Sequence, residues 1–246
     1  MLVLLPPSEG KAAPVQGGPA DLSSLAFAGP LGERREALLD ALEGLVDLPR
    51  EEAVEALAVS PGQAGEIAVD ARLREAPAAP AYEVYTGVLY DHLGLGELPA
   101  AARRRVLIAS ALWGVVRPED RIPYYRFSAK ARLAGIGAPA SFWRPALAEA
   151  MPDEDGELIV DMRSAAYAAA WKPRRASLLA VRAFGESGGR RKPISHMAKA
   201  VRGDVARALL EAEASPAGPE GAAEVAEAAG FRVELSPGSL DVILSG

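Results

Sequence analysis

The chain has 246 residues, of which 50% are hydrophobic; its formal net charge is −6 and it has no cysteine. That much apolar material supports a sizeable core and excludes a disordered chain. The lack of cysteine excludes disulfides, thiolate catalysis and Cys-ligated zinc or iron–sulfur sites.

In chain order, Leu2–Leu5 is a short apolar run stopped by Pro6-Pro7, which predicts a buried strand entering a loop. The N-terminus lacks a basic stretch, and no segment approaches the roughly 18 apolar residues of a membrane span, which predicts a cytoplasmic protein with no membrane partner. Residues 12–20 read as a loop, 33–48 and 50–59 as helices, and 74–80 as a further loop. Compact apolar runs at 105–109, 158–162 and 177–184 each predict a central strand. Residues 213–222 read as a surface loop, and 222–229 as a helix stopped by Gly230. Runs at 231–235 and 240–244 flank Ser-Pro-Gly-Ser, a hairpin signal. The pattern predicts one α/β domain over residues 1–246, with a mixed central sheet and flanking helices.

Charge is unevenly spread. Residues 100–207 carry 20 Lys/Arg against 10 Asp/Glu, while the rest of the chain carries 7 against 23. This predicts a cationic functional face on an otherwise acidic body, suited to phosphate or nucleic acid.

Five segments carry candidate chemistry. Ser8, Glu9, Gly10 and Lys11 follow the first strand, where α/β sheets expose their sites, although the glycine spacing of a P-loop is missing. Tyr85, Thr86 and Gly87 offer hydroxyls and an open backbone N–H. Ser110, Arg117, Asp120, Tyr125 and Arg126 lie on a loop stiffened by Pro118 and Pro123. That loop suits bidentate binding of phosphate or carboxylate, and equally a structural Arg–Asp network beneath aromatic rings. Gly135 and Gly137 form a Gly-x-Gly turn between two stretches read as helical, which suits either a plain turn or a hairpin that holds phosphate. Finally, Ser195 is placed to cap a helix. Met197, Val201, Val205 and Leu209 form its apolar stripe, with His196, Lys199, Gly203 and Arg207 opposite and Arg202 at the border. A glycine inside a helix costs about 1 kcal/mol relative to alanine. Gly203 therefore predicts close approach of another backbone or a ligand.

Taken together, these segments resemble the YaaA family of peroxide stress proteins. The likeness rests on Pro-Pro-Ser-Glu-Gly-Lys at 6–11, Val-Tyr-Thr-Gly at 84–87 and Ser-Ala-Leu-Trp-Gly-Val-Val-Arg-Pro-Glu-Asp at 110–120. Tyr-Arg at 125–126, Phe142-Trp143, residues 159–167 and Lys199-Ala-Val-Arg202-Gly203 complete it. The resemblance implies a cytoplasmic α/β protein with a positively charged cleft that limits free iron and oxidative DNA damage. It also implies DNA binding through a helix–hairpin–helix at Gly135 and Gly137, with Lys199 and Arg202 in the cleft. The chain departs from the family pattern: Pro6 and Glu9 replace Ser and Lys after the first strand. Ala165 and Ala166 replace two acidic residues, and Ser128 replaces a third. Asp161, Asp120 and Glu9 remain as candidates for acid–base work.

Two functions follow. One is duplex DNA binding on phosphates, through Gly135, Gly137, Lys199 and Arg202. The other is an enzyme for a small phosphorylated or nucleotide-like metabolite, with Asp120, Glu9, Lys199 and Arg202 as candidate catalytic residues. Ser8, Lys11, Tyr85, Thr86, Gly87, Ser110, Arg117, Tyr125, Arg126, Ser164 and His196 are the candidate ligand-binding residues. Two histidines far apart offer no metal constellation, and no cofactor or metal is expected.

Overall fold

Leu2–Leu5 has no polar side chain to present to water, so it can be stable only where both sheet faces are covered. A computed structural model places it there, as β1 (Leu2–Leu5), with all four residues buried. Burial of each such side chain contributes about 2 kcal/mol. The structure describes residues 1–187, 190–194 and 197–245. After β1 come α1 (Ala28–Glu43), α2 (Arg50–Leu57) and α3 (Gly65–Asp70). Strand β2 (Ala78–Pro80) leads to α4 (Ala81–Val84), α5 (Val88–Leu93) and α6 (Ala100–Arg103). Next are β3 (Val106–Ser110), β4 (Gly114–Val116), β5 (Arg121–Pro123), α7 (Pro139–Ala150), β6 (Leu158–Asp161) and α8 (Ala165–Ala168). The chain ends with β7 (Ser177–Ser187), β8 (Arg190–Pro193), α9 (Ala198–Glu211), α10 (Pro219–Ala228), β9 (Val233–Ser236) and β10 (Ser239–Ser245).

Among the described residues, eight strands form one mixed sheet in the order β4-β3-β1-β6-β7-β10-β9, with β8 also paired to β7. The central strands β3, β1, β6, β7 and β10 run parallel, and β4, β8 and β9 are antiparallel. Strand β7 is long enough to meet β6 through residues 177–180 and β8 through residues 184–187 on the same edge. A second, two-stranded sheet pairs β2 with β5. This is the mixed α/β domain that the sequence predicts. No helix among the described residues is long and apolar enough to cross a membrane.

Several boundaries differ from expectation. The first helix begins at Ala28 rather than residue 33, after Phe27 in a left-handed conformation (φ 59°), and its predicted end is a short 3-10 turn. The loop predicted at 74–80 closes with β2 because β5 offers its backbone as a partner. Helix α10 starts at Pro219, whose missing N–H costs nothing at the first helical turn. Met197 precedes α9 and is exposed, outside the buried stripe of Val201, Val205 and Leu209. The Gly-x-Gly turn is flanked by only one helix. Gly135 and Gly137 have positive φ and close a bridge between Leu133 and Gly137, but residues 124–132 before them are irregular. Arg132 donates its backbone N–H to Ala56 O rather than to a helical partner, so the helix–hairpin–helix expectation fails on its N-terminal side.

Gly203 is buried where α9 crosses α5. A methyl there would lie 2.5 Å from Leu89 O and 2.7 Å from His92 Cβ. The approaching backbone predicted from the sequence is that of α5. Gly32, inside α1, has nothing within 4 Å of such a methyl. The same substitution should therefore act in opposite directions at the two sites. Gly203→Ala should destabilise by about 2 kcal/mol through overpacking, and Gly32→Ala should stabilise by about 0.5–1 kcal/mol. Urea unfolding checks both, and a neutral Gly203→Ala would contradict the close helix crossing.

Candidate functional site

The carboxyl ends of β1 and β6 open into a cleft of about 570 Å³. Ligands of open α/β sheets bind at such carboxyl edges. The cleft takes its lining from six places. The loop after β1 gives Pro6 through Lys11, and the turn into α5 gives Thr86, Gly87 and Tyr90. The segment after β5 supplies Arg126 through Lys130, the start of α8 supplies Ser164 and Tyr167, and α9 supplies Lys199 and Arg202. The end of α2 and the turn after it add Ala58, Val59 and Gln63. The basic side chains in this lining are Lys11, Arg126, Lys130, Lys199 and Arg202, against one acid, Glu9.

Local structure explains why these groups meet. The loop after β1 is clipped to the segment before α5. Lys11 forms an antiparallel bridge with Tyr85, and Ala12 donates its N–H to Val84 O at 2.8 Å. Ser8 Oγ accepts the Thr86 N–H at 3.2 Å and donates to Gly10 O. Gly87 caps α5 with φ 96°, a conformation that only glycine adopts without strain. Arg126 is fixed twice: its backbone N–H donates to Asp70 Oδ1 at 2.7 Å, and its Nη1 donates to Glu9 O at 3.0 Å. Lys199 lies 3.7 Å from Glu9 with both side chains largely exposed, a contact worth little in water. Arg202 Nε donates to Val181 O at 3.0 Å, leaving the rest of its guanidinium to the cleft.

Tyr85, Tyr125 and Ser110 lie behind the cleft. Ser110 Oγ and Tyr125 OH are 2.8 Å apart, and Tyr125 OH and Tyr85 OH 2.7 Å, forming a buried hydroxyl chain. Tyr85 stacks on Tyr90, which donates its hydroxyl to Pro6 O at 2.7 Å. Burial pushes the phenols of Tyr85, Tyr90 and Tyr125 above their ordinary values, so these hydroxyls stay protonated and serve as hydrogen-bond donors.

Other candidates stand outside the lining. Asp120 Oδ2 accepts backbone N–H groups from Ala26 and Arg117, each at 2.9 Å, and burial raises its pKa. Arg117 faces Phe27, and neither it nor Asp120, Gly135 or Gly137 lines the cleft. The loop at 110–126 is thus partly the structural network weighed as its alternative, with Arg126 as the member that reaches the cleft. Asp161 forms a buried pair with Arg163 at 2.8 Å and is occupied there. His196, with Ser195, lies outside the described residues. Of the candidates, Ser8, Glu9, Lys11, Thr86, Gly87, Arg126, Ser164, Lys199 and Arg202 come together.

Sequence reasoning missed Asp70, and it missed Lys130 as a cleft residue. Asp70 is buried beneath Arg126, and among the described residues its Oδ2 has no hydrogen-bond partner. The readable signal was its spacing: Ile67, Asp70 and Leu73 are all buried at three-residue intervals, with the carboxylate where an apolar residue belongs.

The fold and the cleft define an α/β protein with an open cleft at the carboxyl edge of its mixed sheet. The chain matches the family model described as "Peroxide stress protein YaaA" over residues 1–235, and it belongs to that family. It is 45% identical to a UPF0246 protein of Streptomyces coelicolor, covering 99% of this chain and 98% of that protein. It is 37% identical to a UPF0246 protein of Corynebacterium efficiens over 99% and 98% of the two chains. A relative in Corynebacterium glutamicum is 35% identical over 96% of both.

Burial, as the main cause, pushes the Asp70 carboxyl up from 3.8 to about 7, and the Arg126 N–H and the Lys11 charge only partly offset this. Between those values the folded chain keeps a proton that the unfolded chain has released, so stability falls as pH rises through the window, by about 1.4 kcal/mol per pH unit. Asp70→Asn keeps the acceptor for Arg126 and removes the titration. Wild-type stability measured relative to this variant should fall between about pH 4.5 and about pH 6.5. Parallel stability curves in urea would show that Asp70 is not protonated in the folded chain.

Proposed function

We propose that this protein acts in the peroxide stress response by binding a small phosphorylated or nucleotide-like ligand in the cleft at the carboxyl edge of its sheet. The observation that carries this reading is the convergence of Arg126, Lys130, Lys199 and Arg202 with the Ser8 and Thr86 side chains on one concave space of about 570 Å³. Sites for small molecules measure about 300–1,000 Å³. A positively charged, partly enclosed surface of this size holds a phosphate by charge-assisted hydrogen bonds that water competes with poorly. In this reading Arg126, Lys199 and Arg202 hold the anion, and Glu9 is the carboxylate within reach for proton transfer. A cytoplasmic site of action belongs to the same proposal. The lowering of free iron that the family resemblance implies is an indirect effect, since the chain offers no cysteine and only two histidines.

Duplex DNA is the second reading, supported by the excess of 20 Lys/Arg over 10 Asp/Glu in residues 100–207. Its Gly-x-Gly element lacks one of two flanking helices and stands outside the cleft lining. That placement makes the small-ligand reading the stronger one.

A melting-temperature screen with nucleoside phosphates, sugar phosphates and short duplex DNA decides between them. A ligand at about 100 times its Kd should stabilise the fold by about 2.7 kcal/mol. The shift should appear with a small phosphorylated compound and vanish in the double variant Lys199→Ala, Arg202→Ala. A shift with DNA alone, lost steeply as salt rises, would give the site to DNA instead.

A further inference from the structure

Lys11 differs from the other cleft cations in how its amine is held. Its side chain is half-buried, and its Nζ donates to Ser8 O at 2.9 Å. The same nitrogen stands 4.4 Å from the centre of the Tyr125 ring and 5.8 Å from that of Tyr85. The bridge to Tyr85 fixes its backbone, and the hydrogen bond to Ser8 O holds the amine. The charged groups around it are Arg126, Asp70, Glu9 and Glu66. Among the described residues none of these carboxylates forms an ion pair with Lys11; Glu9 pairs with Lys199 instead. Loss of solvent first, and the Arg126 guanidinium second, push the amine down to about 8. Lysines that are desolvated and set beside another cation act as nucleophiles toward carbonyl carbons.

We propose that Lys11 Nζ is the nucleophile of this cleft and forms an imine with an anionic aldehyde or ketone. The proposal rests on the reading of the cleft as a small-anion site and names the chemistry of its ligand. The lone pair of the neutral amine makes the N–C bond, and the π electrons of the carbonyl move to its oxygen. That oxygen takes up the two protons shed by the nitrogen and leaves as water, and the nitrogen completes the C=N bond. No oxidant or further reactant is consumed, and water reverses the step. Arg126, adjacent to Lys11, holds the phosphate or carboxylate end of the ligand so that its carbonyl carbon meets the amine. Lys199 and Arg202 close the other side of the same space.

The test is reductive trapping of the full-length protein at about pH 7, with the modified lysines mapped by peptide mass spectrometry. Pyridoxal phosphate with borohydride is the anionic aldehyde, and formaldehyde with cyanoborohydride is the neutral one. Lys130, Lys172, Lys192 and Lys199 serve as internal standards in the same molecule, so the comparison does not depend on any variant folding. Lys11 should react about tenfold faster than these lysines with both reagents, because more of its amine is neutral at this pH. Lys11→Arg should keep the charge and lose the adduct. Even labelling by both reagents overturns the proposal; if inorganic phosphate still raises the melting temperature, the anion site survives and only the nucleophile is lost. Selectivity with formaldehyde but not with pyridoxal phosphate overturns the anionic class of carbonyl.

Discussion

Strand β1 hydrogen-bonds along both edges, to β3 on one side and β6 on the other, and its four side chains are buried on both faces of the sheet. A strand held in this way has no freedom of register, because its pairing with Val106–Ile108 and Ile159–Asp161 fixes it along its whole length. Pro6 and Pro7 end the strand by removing the N–H groups that would continue the ladder. The chain must therefore leave the sheet at one place and in one direction. That exit delivers Ser8, Glu9 and Lys11 to the carboxyl edge, where β6 delivers Ser164. The cleft exists because two neighbouring parallel strands stop at the same level and their continuations part.

The second layer of constraint is polar and buried. The hydroxyl chain from Ser110 through Tyr125 to Tyr85, together with the Tyr90 bond to Pro6 O, ties the loops after β1, β3 and β5 to one another behind the cleft. Buried hydroxyls are costly unless they are paired, so such a chain specifies one arrangement of its loops. Asp70 extends this support on the Arg126 side at a greater cost, since its second oxygen has no partner among the described residues. Retaining a proton on that carboxyl is how the interior tolerates it. A charged Asp70 would draw Lys11 toward the ammonium form, so the protonated carboxyl and the neutral amine favour each other.

The sheet was legible in the sequence because its strands are short apolar runs bounded by proline, glycine and polar residues. Leu2–Leu5, the run at 158–162 and the hairpin near the C-terminus each carry that signal in a few adjacent residues. Gly203 was legible for a different reason. A glycine inside an amphipathic helix needs a neighbour, and α5 is that neighbour. Long-range placement was not legible. Nothing in the 110–126 loop distinguishes Arg126, which reaches the cleft, from Asp120, which receives the backbone N–H groups of Ala26 and Arg117. Asp70 belongs to a helix with no motif, and its role follows from residues 56 positions away. The Gly-x-Gly sequence does mark a turn, but a helix follows it and none precedes it. Propensity alone favours a helix before it, whereas the chain there is committed to contacts with Ala56 and Asp70.

Charge shows the same limit of local reading. The excess of basic residues in 100–207 suggests a broad cationic face, yet part of it is neutralised by carboxylates from elsewhere in the chain. Arg182 pairs with Asp241, Arg191 with Glu234 and Arg207 with Glu97, all acids outside that segment. Arg103, Arg163 and Arg175 pair with acids inside it. Apart from the buried Arg163–Asp161 pair, such contacts at the surface contribute about 0–1 kcal/mol each to stability, but they weaken the far field that would attract a polyanion. Screening at physiological salt, over a length of about 8 Å, removes most of what remains beyond the immediate surface. Within the cleft lining, Lys11, Arg126, Lys130, Lys199 and Arg202 share one small stretch of surface with a single acid, Glu9. The proposal of a compact anionic ligand needs no more than such a short cluster, whereas a duplex would call for basic charge spread along its length.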